Sequence, residues 1–211
     1  MLQRLFIIGS GELGQQALHY AQIDGRYVVV GFIDDYKEKN EVINGVPVRG
    51  SVEDIMPLYE TGVFDALFIA IGYKHLRAKR AIFEQFWKKV PFATIIAEPA
   101  YIDPTAKIGD GVLIYPGCII DKNVVVDHNA ILNLNVVVSH DSFVGNSTFC
   151  APRVTIAGFT KVSSCCFLGV GSCIIDNISI CEDVILGAAS LVIKDLDSSG
   201  TYVGVPATLI K

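Results

Sequence analysis

The sequence predicts two domains of different class: an α/β, Rossmann-like domain over residues 1–98 and an all-β parallel β-helix of hexapeptide repeats over residues 99–211. Three observations predict it. The chain opens with a strand, the turn GSGELG, a helix, a second strand and a pair of acids. From Ile102 onward the aliphatic residues recur every six positions. Pro99 and Pro104 bracket the hand-over from one pattern to the other.

Residues 4–8 (RLFII) read as a buried strand, followed by Gly9-Ser10-Gly11-Glu12-Leu13-Gly14 and a helix from Gln15 to about Ile23, with Leu13, Ala17, Leu18 and Ala21 on one side. Residues 27–33 (YVVVGFI) form a second strand ending at Asp34-Asp35, about 20 residues beyond the last glycine. This order fits a nucleotide-binding βαβ start, in which glycines admit a phosphate to a helix N-terminus and carboxylates take hydroxyls of ribose or base. A tight turn with no ligand is the alternative. NGVPVRGS (44–51) reads as a hairpin-like turn before a short helix at 51–60, and FDALFIAIG (64–72) as another buried strand. A helix is expected over 73–89, with Leu76, Ile82, Phe83 and Phe86 inward and its Lys and Arg residues outward, then a strand at 92–97. The domain is short for a full dinucleotide fold and suits a mononucleotide better than NAD.

The repeat runs through Ile102, Ile108, Ile114 and onward to Val192; fifteen of its sixteen positions are aliphatic, the exception being Cys150. The fourth residue after each is small or β-branched at every position but Ile178. A period of six fits neither a helix nor a simple strand and marks a hexapeptide β-helix. Each hexad supplies a short strand and a turn, and three close a triangular coil. The aliphatic fills the interior and the small residue the corner. Gly109, Asp121, Asp127, Gly145, Gly169 and Gly187 follow aliphatics, which suggests a turn role. Interior burial alone falls short of the backbone entropy of so long a stretch, so association through the flat sides is expected. The tail 201–211 is expected to close the last coil.

Composition narrows the partners. The chain has 211 residues, 51% hydrophobic and 18% charged, with a net charge of −5 and no long basic run. That argues against nucleic acid and an anionic membrane as partners. The apolar runs are strand-length, and the N-terminus enters a strand without the apolar core of a signal peptide, so a cytoplasmic location is expected. All six cysteines (118, 150, 165, 166, 173, 181) lie in the repeats without a CxxC pair. They read as fillers in a reducing compartment, with no metal expected.

Four histidines could carry chemistry. His19 and His75 read as surface or structural, and His128 as structural. His140, followed by Asp141, lies in a turn of the repeats. One coil is eighteen residues, so Gly158 should stack over His140, leaving room beside the imidazole and a bare amide to contact it. By spacing alone His140 reads equally as a base or a surface histidine. A metal hydratase on this scaffold needs three histidine ligands and the repeats hold two. A non-enzymatic scaffold is a further alternative.

The segments FIIGSGELG, GFIDD, NGVPVRGS, FIAIG, FATIIAEPA, VVVSHDSFVGN, FLGVGS and YVGVPA together resemble the hexapeptide acyltransferases of the sialic acid O-acetyltransferase and bacillosamine-pathway N-acetyltransferase family, over nearly the whole chain. The resemblance implies a left-handed β-helix and a homotrimer with active sites between subunits. It implies N-acetylation by acetyl-CoA of a nucleotide-linked amino sugar, a 4-amino-4,6-dideoxy sugar by family resemblance, in surface polysaccharide or glycan biosynthesis. Transfer to a sugar hydroxyl, as on sialic acid, is the alternative. His140 becomes the general base, Asp141 the acid that orients it, and Asn133 a substrate-side asparagine. Phe149, Gly158, Val170 and Ala188 fall at the CoA site; Gly9, Ser10, Gly11, Glu12, Leu13, Asp34, Asp35, Ile71 and Gly72 fall at the nucleotide site. Two features depart from the family. Its glycine loop is commonly GxGGHG with a following Lys or Arg, where this chain has GSGELG and Gln15; and Phe149 stands where one member has a second histidine. No cysteine has a base beside it, so direct transfer without an acyl-enzyme is expected.

Overall fold

The computed structural model describes residues 2–211 and divides into two compact units, residues 1–97 and 98–211. The first unit contains β1 (Gln3–Ile8), α1 (Glu12–Asp24), β2 (Tyr27–Ile33), β3 (Val42–Ile43), β4 (Val46–Gly50), α2 (Ile55–Glu60), β5 (Ala66–Ile69) and α3 (Leu76–Phe86). The sheet order is β3-β4-β2-β1-β5. Its pairs are parallel except for the β3–β4 hairpin, whose Asn44 and Gly45 both have positive φ, 48° and 80°, as a two-residue primed turn requires. The apolar runs of β1 and β5 are continuous because both strands are buried on both faces. The core joins Phe6, Ile33, Leu67, Phe83 and Phe92, with Phe6 and Phe64 stacked at 4.3 Å.

Three expectations for this unit are corrected. The helix expected over 73–89 is a short 3-10 turn, Tyr73–His75, followed by α3, which ends at Phe86 with Trp87 as its cap; Lys88 lies at φ 66°. Lys79, expected outward with the other cations, is fully buried. Its spacing explains this, since residues 76, 79, 83 and 86 recur every three or four positions and share one helix face. The strand expected at 92–97 shrinks to Ile95–Ile96, with Phe92 in a lone bridge to Leu67.

The second unit is a three-faced parallel β-helix. Short strands, nearly all of two residues, recur at the expected hexads, and from Tyr101–Ile102 to Cys173–Ile174 each pairs in parallel with the strand eighteen residues on, as in Ile119–Ile120 with Val137–Val138. The interior aliphatics from Ile114 to Val192 are at most 1% exposed. The corner residues are buried too, and the polar ones do more than save space. Ser142 Oγ, Thr148 Oγ1 and Thr160 Oγ1 donate to the carbonyls of Ala157, Ser163 and Ile175 at 2.9, 2.9 and 3.0 Å, each fifteen residues ahead. Cys118 and Cys166 thiols do the same toward Asn133 and Cys181 at 3.1 Å. Burial pushes these thiols up to about 11 and about 12. The final coil is closed by Gly200–Val203, which pairs with Val184–Leu186 and with Thr208–Leu209.

The turn role expected for glycine after the aliphatic is corrected. Positive φ falls three positions after it, as at Asn123, Asp141, Phe159 and Asn177. Gly109, Gly145 and Gly169 instead let adjacent coils stack: a Cβ there would come within 2.7 Å of backbone in the neighbouring coil. Asp121 and Asp127 do shape their turns, each accepting the next residue's N–H at 2.8 Å.

Candidate active site

In the first unit, β1 sends the chain toward β2 on one side and receives β5 on the other. The strand order reverses between β1 and β5, and the ends of these strands are where such sheets hold ligands. The loop Gly9-Ser10-Gly11-Glu12-Leu13 follows β1, and Ile71-Gly72 lie just past β5. The two edges nearly touch, since a Cβ on Gly9 (φ 93°) would lie 2.9 Å from the Ala70 carbonyl oxygen. Gly14 packs α1 down on this loop; a Cβ there would collide with the Gly9 carbonyl oxygen. Gly11 caps α1 without a side-chain bond and has open space beside it, which leaves room for an anion at the first amides of the helix. Glu12, in that first turn, brings a like charge to the same place.

Both acids at the end of β2 are engaged within the protein. Asp34 Oδ2 accepts the Ser10 N–H at 2.9 Å and the Ser10 hydroxyl at 2.6 Å, while Oδ1 accepts the Tyr36 N–H at 3.0 Å. Burial pushes this carboxyl up, but the bonds from Ser10 and Tyr36 and the Lys37 charge outweigh it, and its pKa is lowered. Asp35 Oδ1 accepts the Val52 N–H at 2.8 Å. Asp34 thus fixes the glycine loop. Tyr36, which the sequence reading passed over, stands 96% exposed beside these acids.

In the second unit the first face carries Val137–Val138, the second Phe143–Val144 and the third Phe149–Cys150, and His140 lies at the corner between the first and the second. The corner is tied coil to coil: Asp141 N–H donates to Lys122 O at 2.9 Å, Phe159 N–H to His140 O at 3.1 Å, and Asn177 N–H to Gly158 O at 3.0 Å. The His140 side chain is 47% exposed, and its Nδ1 lies 3.0 Å from Asp141 Oδ2. An ionised carboxylate only accepts, so Nδ1 carries the proton and Nε2 has the free lone pair. Asn123, one coil earlier, donates to Asp141 Oδ1 at 3.0 Å. That amide first, and His140 second, hold the Asp141 carboxyl below its ordinary range. Gly158 stacks on the ring as expected: a Cβ there would lie 2.8 Å from Cε1 and 2.9 Å from Nε2. Asn123 and Phe159 were not singled out from sequence, although each lies eighteen residues from Asp141.

The other residues assigned by resemblance lie elsewhere on the prism. Val170 and Ala188 are in the turns between the third and first faces, as is Asn133, whose Oδ1 accepts the Leu134 N–H at 2.7 Å. Phe149 lies on the third face, 7% exposed, with its ring 5.9 Å from that of Phe167. His128 is fastened to its corner by Asp110, whose N–H donates to Nδ1 at 2.8 Å. Among the described residues, no three His, Cys, Asp or Glu side chains gather as a metal site, and no helix is long and apolar enough to cross a membrane.

Fold and corner together fit the hexapeptide-repeat acyltransferase expected from the sequence. Residues 4–85 match the family described as PglD N-terminal domain. The acetyltransferase domain of PglB from Neisseria gonorrhoeae FA1090, solved with acetyl coenzyme A, is 25% identical, with a TM-score of 0.89 and both chains covered fully. PerB from Caulobacter crescentus, solved with CoA and GDP-perosamine, is 28% identical over all of this chain and 99% of its own, with a TM-score of 0.87. Serine acetyltransferase 3 of Arabidopsis thaliana is 34% identical over 115 residues, a match that spans 25% of the plant protein's length. These likenesses match the left-handed β-helix expected and support a place among hexapeptide-repeat sugar N-acetyltransferases.

Proposed function

We propose that the protein transfers the acetyl group of acetyl-CoA to the amino group of a nucleotide-linked amino sugar. One observation carries the reading: at an exposed corner, an imidazole is oriented through Nδ1 by a carboxylate, and beside it a glycine leaves space where any other residue would place a Cβ. The neutral amine attacks the thioester carbonyl. His140 Nε2 takes the proton lost by the nitrogen, and Asp141 stabilises the imidazolium. The Gly158 N–H, which meets no acceptor among the described residues, is placed to donate to the developing oxyanion. The C–S bond then breaks and CoA leaves as the thiolate, which regains a proton. The glycine loop and the amides of α1 hold the nucleotide diphosphate. PerB, solved with CoA and GDP-perosamine, supports the substrate class.

The reading includes a homotrimer. Val170, Ala188 and Asn133 lie at one corner, and His140 and Gly158 at the next. A hexad of chain, at most roughly 20 Å when extended, separates the two corners. The family resemblance implies active sites between subunits, which needs a contact between the faces of neighbouring copies. Tyr101 and Ile119, 56% and 46% exposed on the first face, offer apolar area for that contact.

The test is CoA release across UDP-, dTDP- and GDP-linked amino sugars, with size-exclusion light scattering for the assembly. Turnover with at least one acceptor and a mass three times that of the chain are expected. Absence of CoA binding would leave a scaffold, and acetylation of hydroxyls alone would move the activity to the O-acetyltransferase reading.

A further inference from the structure

We propose that Phe159 is a positioning residue: its ring holds the His140 imidazole in the rotamer that keeps Nδ1 on Asp141 and turns Nε2 outward. The inference rests on His140 being the base. The two rings meet edge to face, with centroids 5.1 Å apart and planes at 86°. The backbone joins them as well, through the Phe159 N–H on the His140 carbonyl.

The conformation of Phe159 marks it out. It lies at φ 56°, a left-handed position that a bulky residue adopts at a cost. Of the fourteen non-glycine residues with positive φ among those described, it is the sole aromatic. The same position in the coils on either side is held by Asp141 and Asn177, and in the coil before by Asn123, residue types that accept this backbone readily. Packing does not ask for the ring, which is 58% exposed. Arg153, Cys165 and Ala189 break the same rule at other corners, but among the described residues an aromatic breaks it only at the turn that stacks on His140, and there its ring stays mostly exposed.

Removing the ring frees the imidazole. Three χ1 wells and two χ2 orientations give roughly six rotamers, so the productive share falls toward one in six. Contact with Asp141 falls with it, and the imidazolium loses its carboxylate. The charged groups at this corner are Asp141 on the same turn and Asp121 and Lys122 one coil earlier; the next coil brings Gly158 and Phe159, which are uncharged, and the one beyond brings Asp176.

Phe159→Asn suits the backbone and should fold with an unchanged or raised Tm, and Phe159→Tyr keeps the ring. The expected result for Phe159→Asn is a kcat for CoA release lower by about sixfold. KM for acetyl-CoA and acceptor should not change. Phe159→Tyr restores kcat. In the resting protein the 15N shifts of the neutral His140 ring report which nitrogen carries the proton; they should show Nδ1–H in the wild type and a mixture of tautomers in Phe159→Asn. This readout needs no turnover, so it reads the role of Phe159 even if no acceptor is acetylated. A Phe159→Asn protein whose His140 ring keeps the wild-type 15N shifts overturns the inference. So does one that loses Tm while those shifts stay in place, since Phe159 would then be a packing residue.

Discussion

Gly158→Ala offers a measured step into the candidate site. Gly158 does not have positive φ, so alanine suits its backbone. The added methyl would lie 2.8–2.9 Å from Cε1 and Nε2 of His140. Ordinary carbon contacts begin near 3.5 Å, so the two must part by roughly 0.5–1 Å. The backbone of the coil is held by the bonds at residues 140, 158 and 177, while the imidazole is half exposed. The ring therefore moves. A shift of that size stretches the 3.0 Å bond to Asp141 beyond hydrogen-bonding range. Misplacement of about 1 Å at a reacting group costs up to about 100-fold. The expected outcome is a kcat down by about 30–100-fold, with both KM values within about threefold and Tm within a few degrees. In a double variant with His140→Ala, Gly158→Ala should cost nothing further, because the group it displaces is gone. A single variant with wild-type kcat would refute the reasoning, as would additive losses in the double variant.

His140→Ala should lower kcat by about 10²–10⁴-fold while nucleotide affinity, measured by calorimetry, stays at the wild-type value. Gly14→Ala drives a methyl onto the Gly9 carbonyl, backbone against backbone, so the glycine loop must part from α1. It should destabilise by about 1–3 kcal/mol in urea titrations and weaken nucleoside diphosphate binding at least about tenfold. Asp65 is bound by Arg4 through Nη2 at 2.7 Å and the backbone N–H at 2.8 Å, and the Arg4 side chain holds its pKa at about 2. A depressed carboxylate adds stability above its unfolded value near 4, stability lost as pH falls through about 2. Wild type and Asp65→Asn should therefore differ slightly in Tm at pH 6 and converge near pH 2.

The two halves of the chain were legible to different depths, and the reason is geometric. In the β-helix a position in sequence is a position in space, because every coil takes eighteen residues. Counting by six found the interior and the corners, and counting by eighteen found Gly158 over His140. The same count would have found Asn123 and Phe159. Asn123, which bonds Asp141, lies one coil before that acid, and Phe159, which meets His140, lies one coil after it. The residues at positive φ were harder to see. Arg153, Phe159, Cys165 and Ala189 adopt it although their types disfavour it, because the bonds between coils override local preference.

The first unit has no such count. The role of Asp34 depends on Ser10, twenty-four residues earlier, and nothing in the spacing says that the serine occupies the carboxylate intended for a ribose. Lys79 goes the opposite way: its spacing points inward, and its charge, which argues for the surface, does not decide its place. Together these residues bear on what the glycine loop does. A carboxylate that fastens Ser10 at 2.6 and 2.9 Å organises the loop amides for a diphosphate before any nucleotide arrives. Ser10→Ala removes the hydroxyl bond and leaves the N–H bond in place. Diphosphate affinity should then fall by about ten- to a hundredfold, the worth of one charge-assisted bond, and by the same factor for every base. A loss that differed between UDP and GDP would instead put Asp34 in contact with the nucleoside.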